Sequence, residues 1–354
     1  MQARWRAENL HRVCFIGLCG DFSCAMGLDG STDYASEVKA LIGRQLSGWT
    51  TATHNYAALK RAQIRTLNLG STQVVLQHNP DRIRSSAAKI DPESIKARNC
   101  FLCTENQPKE QEIVDWRGLY KIQVNPFPIF PRHLTVASYT HTPQAIAGRM
   151  GHMLALAADL ENFVVFYNGP RCGASAPDHF HFQAGNKGFL PLPDEALNSA
   201  RKPVVIMGEC EVSLMEGLCR PFFLIDSTSA SDAEAAFEAV EAAMPVKAGD
   251  YEPMQNLLCW SDGGVWHIVV FPRTKHRPSC YGEGEGQFVL SPASVDMGGV
   301  MAVPRKCDFE SLTAESVRQI FGEVCASEAE TGEITDRIKN EVRSGKTSHR
   351  QNQY

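Results

Sequence analysis

Tyr167-Asn168-Gly169-Pro170-Arg171-Cys172-Gly173-Ala174-Ser175-Ala176-Pro177-Asp178-His179-Phe180-His181-Phe182-Gln183 is the densest run of chemistry in this 354-residue chain. As an extended strand, its last five residues turn His179, His181 and Gln183 to one face and Phe180 and Phe182 to the other. One face is polar and the other belongs in a core. Three adjacent polar side chains over a buried sheet need partners, which a metal ion or a phosphate would supply. An ordinary histidine is mostly neutral at physiological pH, and a neutral imidazole can attack phosphorus. Upstream, Gly169 and Gly173 let the backbone approach a phosphate closely, and the Ser175 hydroxyl can donate to a phosphate oxygen. The plain alternative is a surface hairpin with two exposed or loosely metal-bound histidines.

Outward from this run, residues 163–167 read as a buried strand. The helix expected before it opens at Thr142-Pro143, a good cap and first turn, and presents Ile146, Met150, Met153, Leu154, Ala157 and Leu160 on one side. Two strands, 120–124 and 134–138, flank the interruption Asn125-Pro126-Phe127-Pro128. Further upstream, 34–65 has helical spacing and 72–76 reads as a strand before Asn79-Pro80-Asp81. Beyond Pro193 the order starts again, with strands near 204–207 and 222–225, a helix over 233–244, and strands at 256–260 and 265–271. A short echo, Phe130-Pro131-Arg132-His133 against Phe271-Pro272-Arg273, fits either tandem copies of one unit or chance. The expected organisation is a poorly specified leader (1–33), a first half (34–195), a second half (196–343) and a polar tail (344–354).

Composition narrows the function classes. The chain is 43% hydrophobic and 21% charged, the balance of a folded protein with a sizeable core. Its 35 Lys and Arg against 40 Asp and Glu give a net charge of −5, with no long basic block, so the footprint of a nucleic-acid binder is missing. The early apolar stretch 13–19 is too short for a membrane span and weak as a signal peptide. A cytoplasmic protein with no nucleic-acid or membrane partner is expected. Twelve scattered cysteines then read as reduced thiols or metal ligands. Cys100-Phe101-Leu102-Cys103 alone has the spacing that brings two thiolates to one zinc, which in a tetrahedral site wants two further ligands.

The motif His179-Phe180-His181-Phe182-Gln183 behind Gly173-Ala174-Ser175 resembles the histidine-triad superfamily. Within it, the likeness is to the transferase branch, where glutamine replaces the last histidine: galactose-1-phosphate uridylyltransferase, diadenosine tetraphosphate phosphorylase and GDP-L-galactose phosphorylase. A bacterial family of this type from Bacteroides-like organisms looks most similar and implies no substrate. The resemblance extends faintly over 72–193, and 256–273 looks like the second-half strand pair of the phosphorylases. It implies an α+β fold of two tandem histidine-triad-like halves, built on mixed, mainly antiparallel sheets with flanking helices, only the first half carrying the triplet.

Carried over residue by residue, the resemblance makes His181 the nucleophile that takes a nucleoside monophosphate from its donor, and Gln183 the group that holds the phosphoryl oxygens. An amide donates a hydrogen bond but cannot act as a general acid at neutral pH. Asn168, Gly173 and Ser175 match the phosphate loop, and Asn125 the position that meets the nucleoside. The loop departs from the uridylyltransferase spacing: 175 to 179 is one residue longer and 168 to 173 one shorter. The resemblance also implies that His141 and His179 complete a structural zinc site with Cys100 and Cys103, with iron open and His133 as the alternative to His141. Arg82 and Arg84 fall in a region similar to one that reaches phosphate in the relatives, while His276, Arg273 and Arg277 read rather as a polar turn.

The expected activity is a nucleotidyltransferase or phosphorylase acting on a nucleotide sugar or dinucleoside polyphosphate through a nucleotidyl-histidine, with a phosphate or sugar-phosphate acceptor. A histidine-triad-type hydrolase and a zinc-tied, non-catalytic nucleotide-binding protein are the alternatives. Monomer and homodimer both remain open.

Overall fold

Strand alternation through residues 120–186 builds the layer that positions the polar run, and the same layer is then built a second time. The structure is a computed structural model that describes residues 32–82 and 92–344. Nearly all of the expected leader and tail, together with Arg84, lie outside the described residues.

Helices α1 (Tyr34–Gly48) and α2 (Thr50–Leu59) come first, then strands β1 (Gln63–Asn68) and β2 (Gln73–His78) and the short α3 (Pro92–Ala97). The first half of the main sheet follows as β3 (Val114–Trp116), β4 (Tyr120–Val124), β5 (His133–Ser138), α4 (Met150–Asp159), β6 (Phe163–Asn168) and β7 (His181–Asn186). After α5 (Leu192–Asn198) come β8 (Lys202–Met207), β9 (Cys210–Met215), β10 (Phe222–Ser227), α6 (Ala230–Ala243), β11 (Gln255–Asp262) and β12 (Val265–Pro272). The chain ends in α7 (Ser294–Met297), β13 (Val300–Ala302), α8 (Lys306–Ser311), α9 (Ala314–Val324) and α10 (Glu328–Arg343).

The main sheet has ten strands in the order β3-β4-β5-β7-β6-β11-β12-β10-β9-β8. Each strand of the first five has its counterpart five numbers later, in mirrored order. Two copies of one unit are thus joined edge to edge where β6 pairs antiparallel with β11, with Asn168 opposite Asn256. This is the α+β, tandem-half fold class expected from the sequence. The echo at 130–133 and 271–273 is not part of it: the first copy leads into β5 and the second ends β12, whereas the counterpart of β5 is β10.

Period-two patterning divides the core between the sheet's two faces. Ile122, Leu134, Val136, Val165, Tyr167, Phe180, Phe182, Leu257 and Ile268 pack under α1, α4, α6 and α10. On the other face Val164, Phe166, Leu258, Val269 and Phe271 pack against α5, α9 and a three-stranded sheet, β1-β2-β13.

Two predicted helices differ from the structure. Residues 34–65 are two helices and the start of β1, because Trp49 is extended between the helices (φ −104, ψ 104). Thr142-Pro143 opens no helix: Gln144 and Ile146 direct their N–H groups to the Pro177 carbonyl and the Glu252 carboxylate, and Gly148 takes a positive φ, so α4 starts only at Met150. The apolar residues expected on that helix are nonetheless buried.

Candidate active site

Strand β7 begins at His181, so His179 and Phe180 lie in the bend before it. Phe180 and Phe182 enter the helix-covered core as the alternation requires. His181 and Gln183 face a cavity of about 710 Å³ together with Asn125, Asn168, Gly173 and Ser175, all six residues expected at the substrate. That volume falls within the roughly 300–1,000 Å³ of ordinary small-molecule sites.

His181 is held at three points. Its backbone N–H donates to Gln144 Oε1 at 2.9 Å, and its carbonyl accepts from Gln144 Nε2 at 3.0 Å. Its ring Nδ1 lies 2.9 Å from the His179 carbonyl. A carbonyl only accepts, so Nδ1 carries the proton and the lone pair sits on Nε2. Burial lowers the imidazole to about 4, leaving it neutral.

Gln183 is oriented by a residue the sequence placed among metal candidates. His133 Nδ1 accepts the Ile129 N–H at 3.1 Å, so its Nε2 is protonated and donates to Gln183 Oε1 at 3.0 Å. The Asn125 amide approaches the same oxygen at 3.5 Å. The Gln183 NH2 therefore faces the cavity. His133 is buried, lowered to about 3 chiefly by that burial with Arg82 adding repulsion, and takes no part in the cysteine cluster.

The loop between β6 and β7 has its shape from contacts with the second half. A side chain at Gly173, where φ is +96, would place its Cβ 2.4 Å from Ala293 Cβ, so only glycine fits. Asn168 Oδ1 accepts from Asn256 Nδ2 at 3.0 Å and from the Ser294 N–H at 2.8 Å, which leaves its amide NH2 to the cavity. Asn125 Oδ1 accepts the Phe127 N–H at 2.9 Å, closing the Pro126 turn.

Cys100, Cys103, His141 and His179 form one cluster, their donor atoms all within 4.8 Å of one another. His179 Nδ1 lies 3.3 Å from Cys100 Sγ and 3.2 Å from His141 Nδ1, and Cys103 Sγ lies 3.2 Å from His141 Nδ1. A tetrahedral ion bound at about 2.0–2.3 Å separates its ligands by roughly 3.3–3.8 Å, so two sulfurs and two nitrogens at this spacing fit such an ion. His179 Nε2 is 2.9 Å from the Ser138 carbonyl, which fixes the tautomer that turns the Nδ1 lone pair inward. Arg98 links the cluster to the loop through Asp178 Oδ1 and the Ser175 carbonyl, both at 3.2 Å. The described cysteines are all free thiols.

Arg82, expected in a region that reaches phosphate, lines the cavity. Sequence reasoning missed Gln144, the contact of His133 with Gln183, and the place of His276 and Arg277 on the cavity's rim. Arg273, grouped with them in the sequence, is buried in hydrogen bonds to the Val324 and Pro292 carbonyls instead.

The fold is similar to that of a yeast nucleotide phosphorylase. The chain superposes on yeast Ap4A phosphorylase Apa2 in complex with AMP with a TM-score of 0.54 at 17% identity, covering 83% of this chain and 96% of that one. The same yeast protein alone gives 0.52 at 17% identity over 82% and 94%, and in complex with Ap4A 0.51 at 17% over 78% and 96%. Residues 41–186 match the family model of a domain of unknown function, DUF4922, and 231–345 match that of the GDPGP1-like C-terminal domain. No curated protein matches the chain. Among the described residues, no helix is long and apolar enough to cross a membrane.

Proposed function

We propose that the protein is a nucleotidyltransferase or phosphorylase that works through a nucleotidyl-His181 intermediate. One observation carries the reading: His181 Nδ1–H is tied to the His179 carbonyl, while its ring lines the cavity beside the free NH2 of Gln183. The yeast phosphorylase of the same fold, known in complex with AMP and Ap4A, is consistent with a nucleotide as substrate.

In the first step Nε2 attacks the α-phosphorus of a nucleotide sugar or dinucleoside polyphosphate. A P–N bond forms and the P–O bond to the leaving phosphate breaks. The ring becomes cationic, and its Nδ1–H bond to the His179 carbonyl stabilises that charge. Gln183 NH2 and the loop at 168–175 hold the phosphoryl oxygens. In the second step an acceptor phosphate oxygen attacks the phosphorus, and the P–N electron pair returns to Nε2. Gln183, which holds the phosphoryl oxygens, cannot act as a general acid for a poor leaving group, so phosphates are the expected partners on both sides.

Zinc is the ion we assign to Cys100, Cys103, His141 and His179. There it would be structural, holding in place the residue whose carbonyl orients His181.

Mass measurement without acid, after incubation with a panel of nucleotide sugars and dinucleoside polyphosphates, should show a nucleotide adduct that His181→Ala does not form. Absence of any adduct across the panel would reject the transferase reading. Turnover that does not respond to added phosphate would point to hydrolysis.

A further inference from the structure

The second half of the chain contributes its own wall to the cavity, and that wall is cationic. Buried Arg273 gathers it: Nη1 donates to the Pro292 carbonyl at 2.9 Å and to Asn256, and Nη2 to the Lys275 carbonyl at 3.1 Å. The turn that follows β12 is thereby held beside residues 291–294. Those residues abut the phosphate loop, with Ala293 against Gly173 and the Ser294 hydroxyl donating to the Tyr167 carbonyl at 2.7 Å.

Two groups in this wall have an atom with no hydrogen-bond partner among the described residues. Arg277 lies over the Tyr281 ring, 4.0 Å from its centre, but its buried Nε makes no hydrogen bond and no carboxylate pairs with it among the described residues. The Ser291 hydroxyl is likewise buried and unsatisfied. His276 lines the cavity beside them, lowered to about 4 by burial and by Arg277, Arg273 and Arg171. The acid of this wall, Asp296, accepts the Ala293 N–H at 2.8 Å and lies close enough to Arg82 to favour its charge. A buried arginine Nε and a buried hydroxyl without hydrogen-bond partners are costly, and an anion in the cavity would satisfy both. The planar fork of arginine fits phosphate in particular.

We propose that Arg277, Ser291 and His276 form an anion subsite that binds the acceptor phosphate, either inorganic phosphate or a phosphate monoester, next to the loop at 173–175. The word acceptor rests on the transferase reading; the anion site itself does not. The second half would then supply the group that takes the nucleotide from His181.

Titration of inorganic phosphate into the full-length, metal-loaded protein by calorimetry tests the site without turnover. Arg277→Gln should weaken binding by about 10-fold or more and Ser291→Ala by about 3-fold or more, the scale of hydrogen bonds to a charged group. His181→Ala should stay within about 2-fold of wild type. Phosphate binding unchanged in both wall variants, absent from wild type, or lost equally in His181→Ala overturns the subsite. The adduct assay separates the two readings. Loss of phosphate binding in Arg277→Gln with no adduct on wild type leaves the subsite standing and sinks the transferase. An adduct that Arg277→Gln forms but discharges slowly to phosphate supports both.

Discussion

At the scale of single residues, the orientation of one amide decides what Gln183 can do. Ile129 sets the tautomer of His133, His133 sets the rotamer of Gln183, and the NH2 is what remains for a phosphoryl oxygen. Removing a donor aimed at transition-state charge costs roughly 10²–10³ in rate, so Gln183→Ala should lower kcat for nucleotidyl transfer by about 10²-fold. His133→Phe keeps the bulk but frees the amide to rotate. It should lower kcat by about 10-fold with KM little changed, because the lost interaction matters most once charge develops. His133 is held near 3 by burial, so it stays neutral across the working range. The loss should therefore be the same from about pH 5 to about pH 9. Steady-state kinetics over that range decide it, and a loss that varies with pH would mean His133 acts by charge.

At the scale of elements, β7 carries the site as a row, His181, Gln183 and Gly185, each two residues from the next. Gly185 closes the row because Phe130 lies on it: an added Cβ would fall 2.2 Å from the ring. Phe130 in turn meets His133 edge-on with centroids 5.2 Å apart. Gly185→Ala should cost about 1–3 kcal/mol by overpacking, read from denaturant unfolding, and lower activity by displacing His133. The entry to β7 is fixed by the cluster. One zinc per chain is expected by elemental analysis, with Cys103→Ser reducing the content and chelation opening 100–111 to proteolysis; full protection after metal removal would contradict a structural ion. The row was legible because alternation has period two, and the cysteine pair because two thiolates at that spacing point to one ion. His133 was not legible as a partner of Gln183, since it reaches that amide only through the pairing of β5 with β7, where Thr135 faces Gln183 and His133 faces Gly185. Register depends on contacts that no single strand's sequence contains. The late start of α4 was hidden for a related reason: Gln144 serves the backbone of β6 and β7 rather than a helix. Arg277 reads as one more polar turn residue until the described neighbouring elements are seen to offer its Nε no hydrogen bond.

At the scale of the molecule, a repeated unit has been put to unequal use. β12, the counterpart of β7, carries His267, but its Nδ1 meets Asp226 Oδ1 at 2.6 Å and its ring stacks on Trp260, so that histidine is engaged within its own half. What the second half gives the site arrives through loops, through Asn256 on β11 and through Glu252. This buried carboxyl, just before β11, accepts the Ile146 N–H at 2.7 Å and the Tyr167 hydroxyl at 2.9 Å, tying the second half to the approach to α4 and to β6. Burial nevertheless raises it to about 8. The folded protein then keeps this proton up to about pH 8, whereas the unfolded chain releases it near the ordinary carboxyl value of about 4.3. Between those limits the folded state binds more protons, so this group's contribution to stability falls as pH rises, by at most about 1.4 kcal/mol per unit. Glu252→Gln keeps one acceptor for Ile146 and a polar partner for Tyr167 but cannot titrate. Urea unfolding of both proteins between pH 5 and pH 8 isolates the contribution of this carboxyl. The stability of wild type relative to the variant should decline steadily across that interval, and a constant or rising difference would show that the two donors hold Glu252 ionised.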